Sequence, residues 1–263
     1  MLALITGRGG LPARVAASQE TPPLVCVMDG FDPDDLAADL RFRLEQLGTL
    51  LAQLSERGVS EVCFCGAIER PHFDPAALDA ATAPLVPALV GAISSGDDGA
   101  LRAVMGIFET SGFQVRAAHE LAPDILIDEG LHSAAAPDEQ MQSDADRGTS
   151  VLAALAPLDV GQSCVVGAGQ VWGIETIGGT DHMLRGLPEK AAHAQAIMIK
   201  TRKAGQDQRV DMPTVGPTTI TALAEAGLAG LVVEAGGVIL LEPEATRAAA
   251  DAAGLVFWAR PAV

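Results

Sequence analysis

Apolar residues arrive along this chain in short runs that stop at glycine, separated by stretches with helical spacing. Residues 2–6 (LALIT) run into Gly7, 24–28 (LVCVM) form a second run, and 61–65 (EVCFC) a third that stops at Gly66. Between them, an Ala-rich segment from about Leu11 to Ser18 reads as a helix. Leu44, Leu47, Leu50, Leu51 and Leu54 recur at helical intervals up to Gly58. Strands apolar on both faces, alternating with helices, predict a parallel sheet covered by helices. The run 74–93 predicts one or two short helices broken near Pro84 and Pro87. A helix then follows Gly96-Asp97-Asp98-Gly99 to about Ser111, and a strand lies near 113–117.

The second half carries a different pattern. A helix is predicted over 144–154, and strands 163–166 and 171–175 joined by Gly-Ala-Gly read as a hairpin. A helix starts at Gly178-Gly179-Thr180-Asp181. Strand 196–199 feeds a long polar loop, a helix covers 218–226, strands lie at 230–234 and 238–241, and helix 243–253 leads to a last strand at 255–258. The fold expected is α/β in two domains, a Rossmann-like parallel sheet over 1–128 and a mixed sheet with helices over 144–263. The polar, small-residue stretch 129–143 is expected as the linker, and the substrate cleft between the domains.

Composition narrows the function. Of 263 residues, 49% are hydrophobic and 19% charged, which suits folded domains rather than disorder. No apolar run reaches the ~20 residues of a membrane span, and MLALITGRGG has neither the basic start nor the cleavage site of a signal peptide. A net charge of -17 argues against nucleic-acid binding and against docking on anionic lipid through a basic patch. The four cysteines (Cys26, Cys63, Cys65, Cys164) fit no zinc or disulfide spacing and read as buried thiols in a reducing compartment. The chain has only three lysines, Lys190, Lys200 and Lys203, so a lysine in a motif-like setting stands out.

Four constellations have chemical potential. Gly7-Arg8-Gly9-Gly10-Leu11-Pro12 is a strand-to-helix turn whose amides suit a phosphate, although Pro12 falls where the dinucleotide fingerprint wants its third glycine. Gly66-Ala67-Ile68-Glu69-Arg70-Pro71 ends the third strand, where open α/β sheets bind ligands, with Arg70 suited to a phosphate or carboxylate. The loop from Lys200 holds Lys203, Asp207, Arg209, Asp211 and Thr214. Its lysines and arginine can neutralise phosphates, while its aspartates can bind Mg²⁺ or orient a water. In the fourth, Thr180 is suited to donate to a phosphate and Asp181 to a metal, or either simply caps the helix. The five histidines show no metal-like spacing.

In LITGRGGLP, EVCFCGAIERP, SGDDGALRAV, GTDHML, IKTRKAGQDQRVDMPTVGPTTI and AGLAGLVVEAG, taken in order over nearly the whole chain, the sequence resembles the LpxI family, the UDP-2,3-diacylglucosamine pyrophosphatases of lipid A biosynthesis. The resemblance implies two α/β domains holding the substrate between them. It implies Mg²⁺-dependent hydrolysis to UMP and 2,3-diacylglucosamine 1-phosphate, with the aspartate of Arg-x-Asp-x-Pro-Thr, here Asp211, as the key acid. By motif match, Leu11, Gly66, Ala67, Thr180, Lys200, Asp207 and Thr214 are the expected substrate contacts. Ala204 departs from the proline expected there. The apolar run Ala76–Ile93 is a candidate wall for the acyl chains. The protein is expected in the cytoplasm or on the cytoplasmic face of the inner membrane, touching lipid only through its substrate, with a homodimer as one candidate assembly. A nucleotide-sugar binding protein without turnover is the competing reading. A nicotinamide-dependent dehydrogenase is disfavoured by the failed glycine fingerprint.

Overall fold

The structure, a computed structural model, describes residues 1–68, 73–93, 97–203, 207–209 and 212–262. They form two compact units: Met1–Pro123 with residues 207–209, and the remaining chain from Asp124 onward.

The first unit is a five-stranded sheet built from β1 (Leu2–Thr6), β2 (Leu24–Met28), β3 (Leu40–Phe42), β4 (Glu61–Cys65) and β5 (Gln114–Arg116), in the order β3-β2-β1-β4-β5. Every pairing is parallel, as the continuous apolar strands require. Helices α1 (Leu11–Ala17), α2 (Leu47–Glu56), α3 (Val86–Ile93), α4 (Asp97–Thr110) and α5 (Ala118–Leu121) connect and flank them. The leucine repeat of α2 is buried as its spacing predicts, with Leu47, Leu50, Leu51 and Leu54 packed in one core with Phe108 and Phe113. Pro87 does not break a helix: it sits in the first turn of α3, where a missing N–H costs nothing, while Pro84 lies in a preceding 3₁₀ turn, Ala83–Leu85. Leu89 of α3 is buried in the core of this unit, so the 76–93 run serves at least partly as core rather than as an open apolar wall.

Strand order reverses between β1 and β4, and their carboxyl ends carry Gly7 and Gly66. The two loops close on each other there. Gly7 N–H donates to the Cys65 carbonyl (2.9 Å), and Arg8 and Ala67 exchange both backbone hydrogen bonds at 2.9 Å. A Cβ on Gly7 would stand 2.4 Å from the Ala67 oxygen. One on Gly66, at φ +94°, would stand 2.6 Å from the Gly7 oxygen. These glycines are therefore required by main chain meeting main chain.

The second unit holds a six-stranded mixed sheet. Its strands are β6 (Gly130–Leu131), β7 (Ser163–Gly167), β8 (Gln170–Ile174), β9 (Ile197–Lys200), β11 (Gly230–Glu234) and β13 (Val256–Arg260), in the order β6-β13-β11-β9-β7-β8. The strands β9, β11 and β13 run parallel, whereas β7 is antiparallel to both β8 and β9, so 163–174 is the hairpin its turn predicts. A separate parallel pair joins β10 (Thr214–Val215) to β12 (Ile239–Leu240). Helices α6 (Glu139–Leu155), α7 (Gly179–Arg185), α8 (Glu189–His193), α9 (Pro217–Glu225) and α10 (Pro243–Ala253) complete the unit.

The stretch 129–143, expected as a linker, carries β6 and the first turn of α6. Its small polar residues are used as caps and ties: the Asp138 carboxylate accepts from the Met141 N–H (2.7 Å), and Ser133 Oγ accepts from the Phe257 N–H (2.8 Å). The units change at Pro123 rather than at 128 because Ile127 is already buried in the second core and donates its N–H to Val238 (3.0 Å). All four cysteines are buried free thiols, in line with their sequence reading.

Replacing Gly66 with alanine forces a Cβ into the Gly7 carbonyl at a positive φ. Urea unfolding should report a loss of about 2–4 kcal/mol.

Candidate functional site

The scarce lysines lead to the site. Because β7 is antiparallel to both neighbours, its first residue lies beside the last residues of β8 and β9. Ser163 pairs directly with Lys200, and the chain leaving β8 delivers Glu175 to the same place, its N–H donating to the Ser163 carbonyl (2.9 Å). Thr180, in the first turn of α7, closes the group. Lys200 Nζ donates to Thr180 Oγ1 (3.0 Å), and Thr180 Oγ1 donates to Glu175 Oε1 (2.8 Å). Ser163 Oγ (2.8 Å) and the Gln162 N–H (3.1 Å) both donate to Glu175 Oε2.

This group is enclosed. Ser163 is fully buried, Lys200 is 7% exposed and Glu175 8%. Burial pushes the Glu175 carboxyl upward. The Lys200 ammonium, together with hydrogen bonds from Ser163, Thr180 and Gln162, outweighs that and holds it below its ordinary 4.5. A buried charge is tolerated when its partners are this complete. The site thus provides an ammonium at a strand's carboxyl end with its counter-charge held by hydrogen bonds from the protein, chemistry suited to an anionic ligand.

The remaining expected residues distribute as follows. Lys203, just beyond β9, pairs with Asp159 (2.7 Å), and Arg202 pairs with Glu234 (2.6 Å), a carboxyl raised by burial despite that partner. Thr214 lies in β10, its hydroxyl 3.3 Å from the Met212 carbonyl. Asp207 and Arg209 belong to the first unit. Arg209 grips Asp207 through Nε and Nη2 (2.9 and 2.6 Å) and reaches Glu109 on α4 (2.6 Å). Arg209 beside it keeps Asp207 below the usual carboxylate range. Leu11 opens α1, and Gly66 and Ala67 form the crossing described above. Arg8 reaches from the loop after β1 to the loop after β2, donating to the Gly30 carbonyl (2.9 Å) and stacking on Phe31.

Thr180 and Asp181 were expected to act together, yet they serve different surroundings. Thr180 belongs to the buried network, whereas Asp181 is exposed and lines a groove of about 630 Å³ between α7, α8 and α9, with Arg185, His193 and Glu225.

The Mg²⁺ expectation meets two observations. Among the described residues, no three His, Cys, Asp or Glu side chains gather as a metal site. The carboxylate of this cluster, Glu175, has both oxygens committed to protein donors. The described side chains therefore do not by themselves fit the ion. Asp211, Ala204, Glu69 and Arg70 lie outside the described residues, as do the side chains of Asp97 and Asp98.

Of the four side chains that meet in this cluster, sequence reading named Lys200 and Thr180 and not Glu175 or Ser163. The available signal was the hairpin: an acidic residue directly after an apolar strand, folded back onto the strand before it.

The depressed Glu175 pKa fixes a sign. Its contribution to stability is present above 4.5 and is lost as pH falls through the depressed value. Glu175→Gln should be less stable than wild type at neutral pH. It should also lose less stability between about pH 5 and pH 3, read by urea denaturation across that range.

Comparison with known proteins converges on one assignment. A family model described as the LpxI N-terminal domain matches residues 1–125, and one described as the LpxI C-terminal domain matches residues 128–258. A curated relative from Caulobacter vibrioides, UDP-2,3-diacylglucosamine pyrophosphatase LpxI, is 35% identical over 97% of this chain and 95% of its own length. Taken with the two α/β units and the ordered motifs, these matches establish that the chain belongs to the LpxI family.

Proposed function

We propose that the protein is a hydrolase of the LpxI kind, cleaving the diphosphate of UDP-2,3-diacylglucosamine to UMP and 2,3-diacylglucosamine 1-phosphate in lipid A biosynthesis. The reading is supported by the relative's activity, carried over a full-length match. The observation in this chain that carries it is Lys200, a buried ammonium backed by Thr180 and Glu175.

The chemistry asked of the protein is modest. Water adds to one phosphorus, the bond from that phosphorus to the bridging oxygen breaks, and the water's protons leave to solvent or to a base. Such reactions depend on positioning and on neutralising charge that shifts among phosphoryl oxygens. Lys200 supplies a fixed cation in a water-poor setting, where a charge interaction is worth more than in bulk solvent. Lys203 and Arg209 are proposed as further cations. Each is held by a carboxylate, Asp159 for the first and Asp207 with Glu109 for the second, so each would exchange that partner for phosphate. Asp211 is proposed as the essential acid, either activating the water or binding metal. Leu11, Gly66, Ala67, Asp207 and Thr214 are proposed as substrate contacts.

Mg²⁺ dependence is also proposed, with Asp211 as the protein carboxylate that would hold the ion; Asp181, in its separate groove, is not proposed as a ligand. The ion would supply charge neutralisation. Among the described residues no helix is long and apolar enough to cross a membrane. With a charge of -17, contact with a bilayer is proposed to be local and apolar, through the acyl chains of the substrate.

Purified protein incubated with UDP-2,3-diacylglucosamine and Mg²⁺ should release UMP, detected by chromatography. Absence of UMP would remove the reading in favour of binding without turnover. Asp211→Ala should abolish release while substrate still binds. EDTA should suppress turnover and added Mg²⁺ restore it; full activity in chelator would remove the metal.

A further inference from the structure

We infer that Glu175 is a positioning residue for this reaction, and that Thr180 relays its hold to Lys200 rather than donating to phosphate. The inference rests on the reading of Lys200 as a phosphate-neutralising cation.

The argument is one of proton counting. A threonine hydroxyl has one proton to give and lone pairs to accept with, an ammonium only donates, and an ionised carboxylate only accepts. Thr180 Oγ1 lies 3.0 Å from Lys200 Nζ and 2.8 Å from Glu175 Oε1. The Lys200 contact must therefore use a Thr180 lone pair, and the single Thr180 proton must point at Glu175. While Glu175 is ionised, that proton is committed inward, and the hydroxyl has none for a ligand. The direction of the whole chain, Lys200 to Thr180 to Glu175, is thus set by the carboxylate.

Glu175 is itself fixed from the other side. Its second oxygen accepts from Ser163 Oγ (2.8 Å) and the Gln162 N–H (3.1 Å). Its backbone is tied to β7, and Gly161, at φ +42°, passes so close that a Cβ there would stand 2.0 Å from the Glu175 carbonyl oxygen. These contacts leave the carboxylate little room to turn. An ammonium on a long flexible stem gains a defined place from such an anchor, and transition-state stabilisation needs that definition more than ground-state binding does.

Glu175→Gln tests this, since the amide keeps the shape but puts a donor where an acceptor is needed. With UDP-2,3-diacylglucosamine as substrate, kcat should fall at least about tenfold with KM changed less than about threefold. A merely structural role would not predict the coupling: added to Thr180→Val, Glu175→Gln should cost less than about a further twofold, because the relay is already cut. Multiplying losses would overturn the relay, and a Glu175→Gln kcat within twofold of wild type would overturn the positioning role. Ser163→Ala, which removes only one of the carboxylate's donors, should lower kcat in the same direction by a smaller factor and serves if the glutamine variant does not fold. An unchanged Ser163→Ala kcat would then count against the proposal.

A second readout does not depend on turnover. With ε-¹³C-lysine incorporated, the chain's three lysines give three signals. Glu175→Gln should move that of Lys200 and leave those of Lys190 and Lys203 in place. An unmoved Lys200 signal overturns the inference. If the wild type itself releases no UMP, the reading of the reaction fails, while the NMR comparison still decides whether Glu175 holds Lys200.

Discussion

A cation buried in protein is permitted only where its counter-charge is buried with it, and that constraint organises the second unit. Lys200 at the end of β9 is 7% exposed. An isolated ammonium there would cost several kcal/mol, on the order of what a small domain can spare. The hairpin of β7 and β8 resolves this. By running antiparallel to β9, β7 places Ser163 beside Lys200, and the chain leaving β8 brings Glu175 back to the same edge. The hairpin thus both extends the sheet and delivers the anion that lets the lysine stay charged.

The first unit is shaped by a different limit, the closeness of two main chains. The order β3-β2-β1-β4-β5 reverses at β1 and β4, and in open parallel sheets that reversal leaves a crevice at the strands' carboxyl ends. Here the loops after β1 and β4 bond across it, Arg8 to Ala67 in both directions. The glycine-rich opening suggested a phosphate loop, but Gly7 and Gly66 are already needed for this crossing, whatever ligand the neighbouring residues contact. The same residue type serves two needs, and only the three-dimensional neighbours tell them apart.

What the sequence disclosed follows from the range of the forces involved. Strand and helix periodicity is local, so LVCVM at 24–28 and the leucine repeat of α2 were legible, and so was the hairpin at 163–174 from its Gly-Ala-Gly turn. Three kinds of feature escaped. Short strands whose existence depends on a distant partner, such as Leu40–Phe42 beside β2 and Gly130–Leu131 beside β13, carry no signal of their own. The expected linker at 129–143 looked like one because helix caps and loop ties use the same small polar residues as linkers do. Glu175 escaped because its importance lies in contacts with residues 5, 12 and 25 positions away, which no local motif encodes.

The distribution of positive charge now has a physical meaning. In a chain with 34 acidic and 17 basic residues, carboxylates are plentiful partners for any cation near the surface. Lys203 and Arg209 sit in ion pairs whose carboxylates, Asp159 and Glu109, are largely open to water. A carboxylate open to water adds about 1 kcal/mol or less to such a pair, so a diphosphate could displace Asp159 or Glu109 more cheaply than the sheltered Asp207, which Arg209 holds through two nitrogens. Lys200 differs in kind: its counter-charge is buried, hydrogen-bonded on both oxygens and tied to the sheet. Displacing Glu175 would strand a carboxylate in the interior, so an anion arriving at Lys200 would have to bind in addition to Glu175 rather than in place of it. That separates cations a substrate recruits from one that is in place before it arrives. A cation held in place before the substrate arrives costs less reorganisation at the moment of reaction.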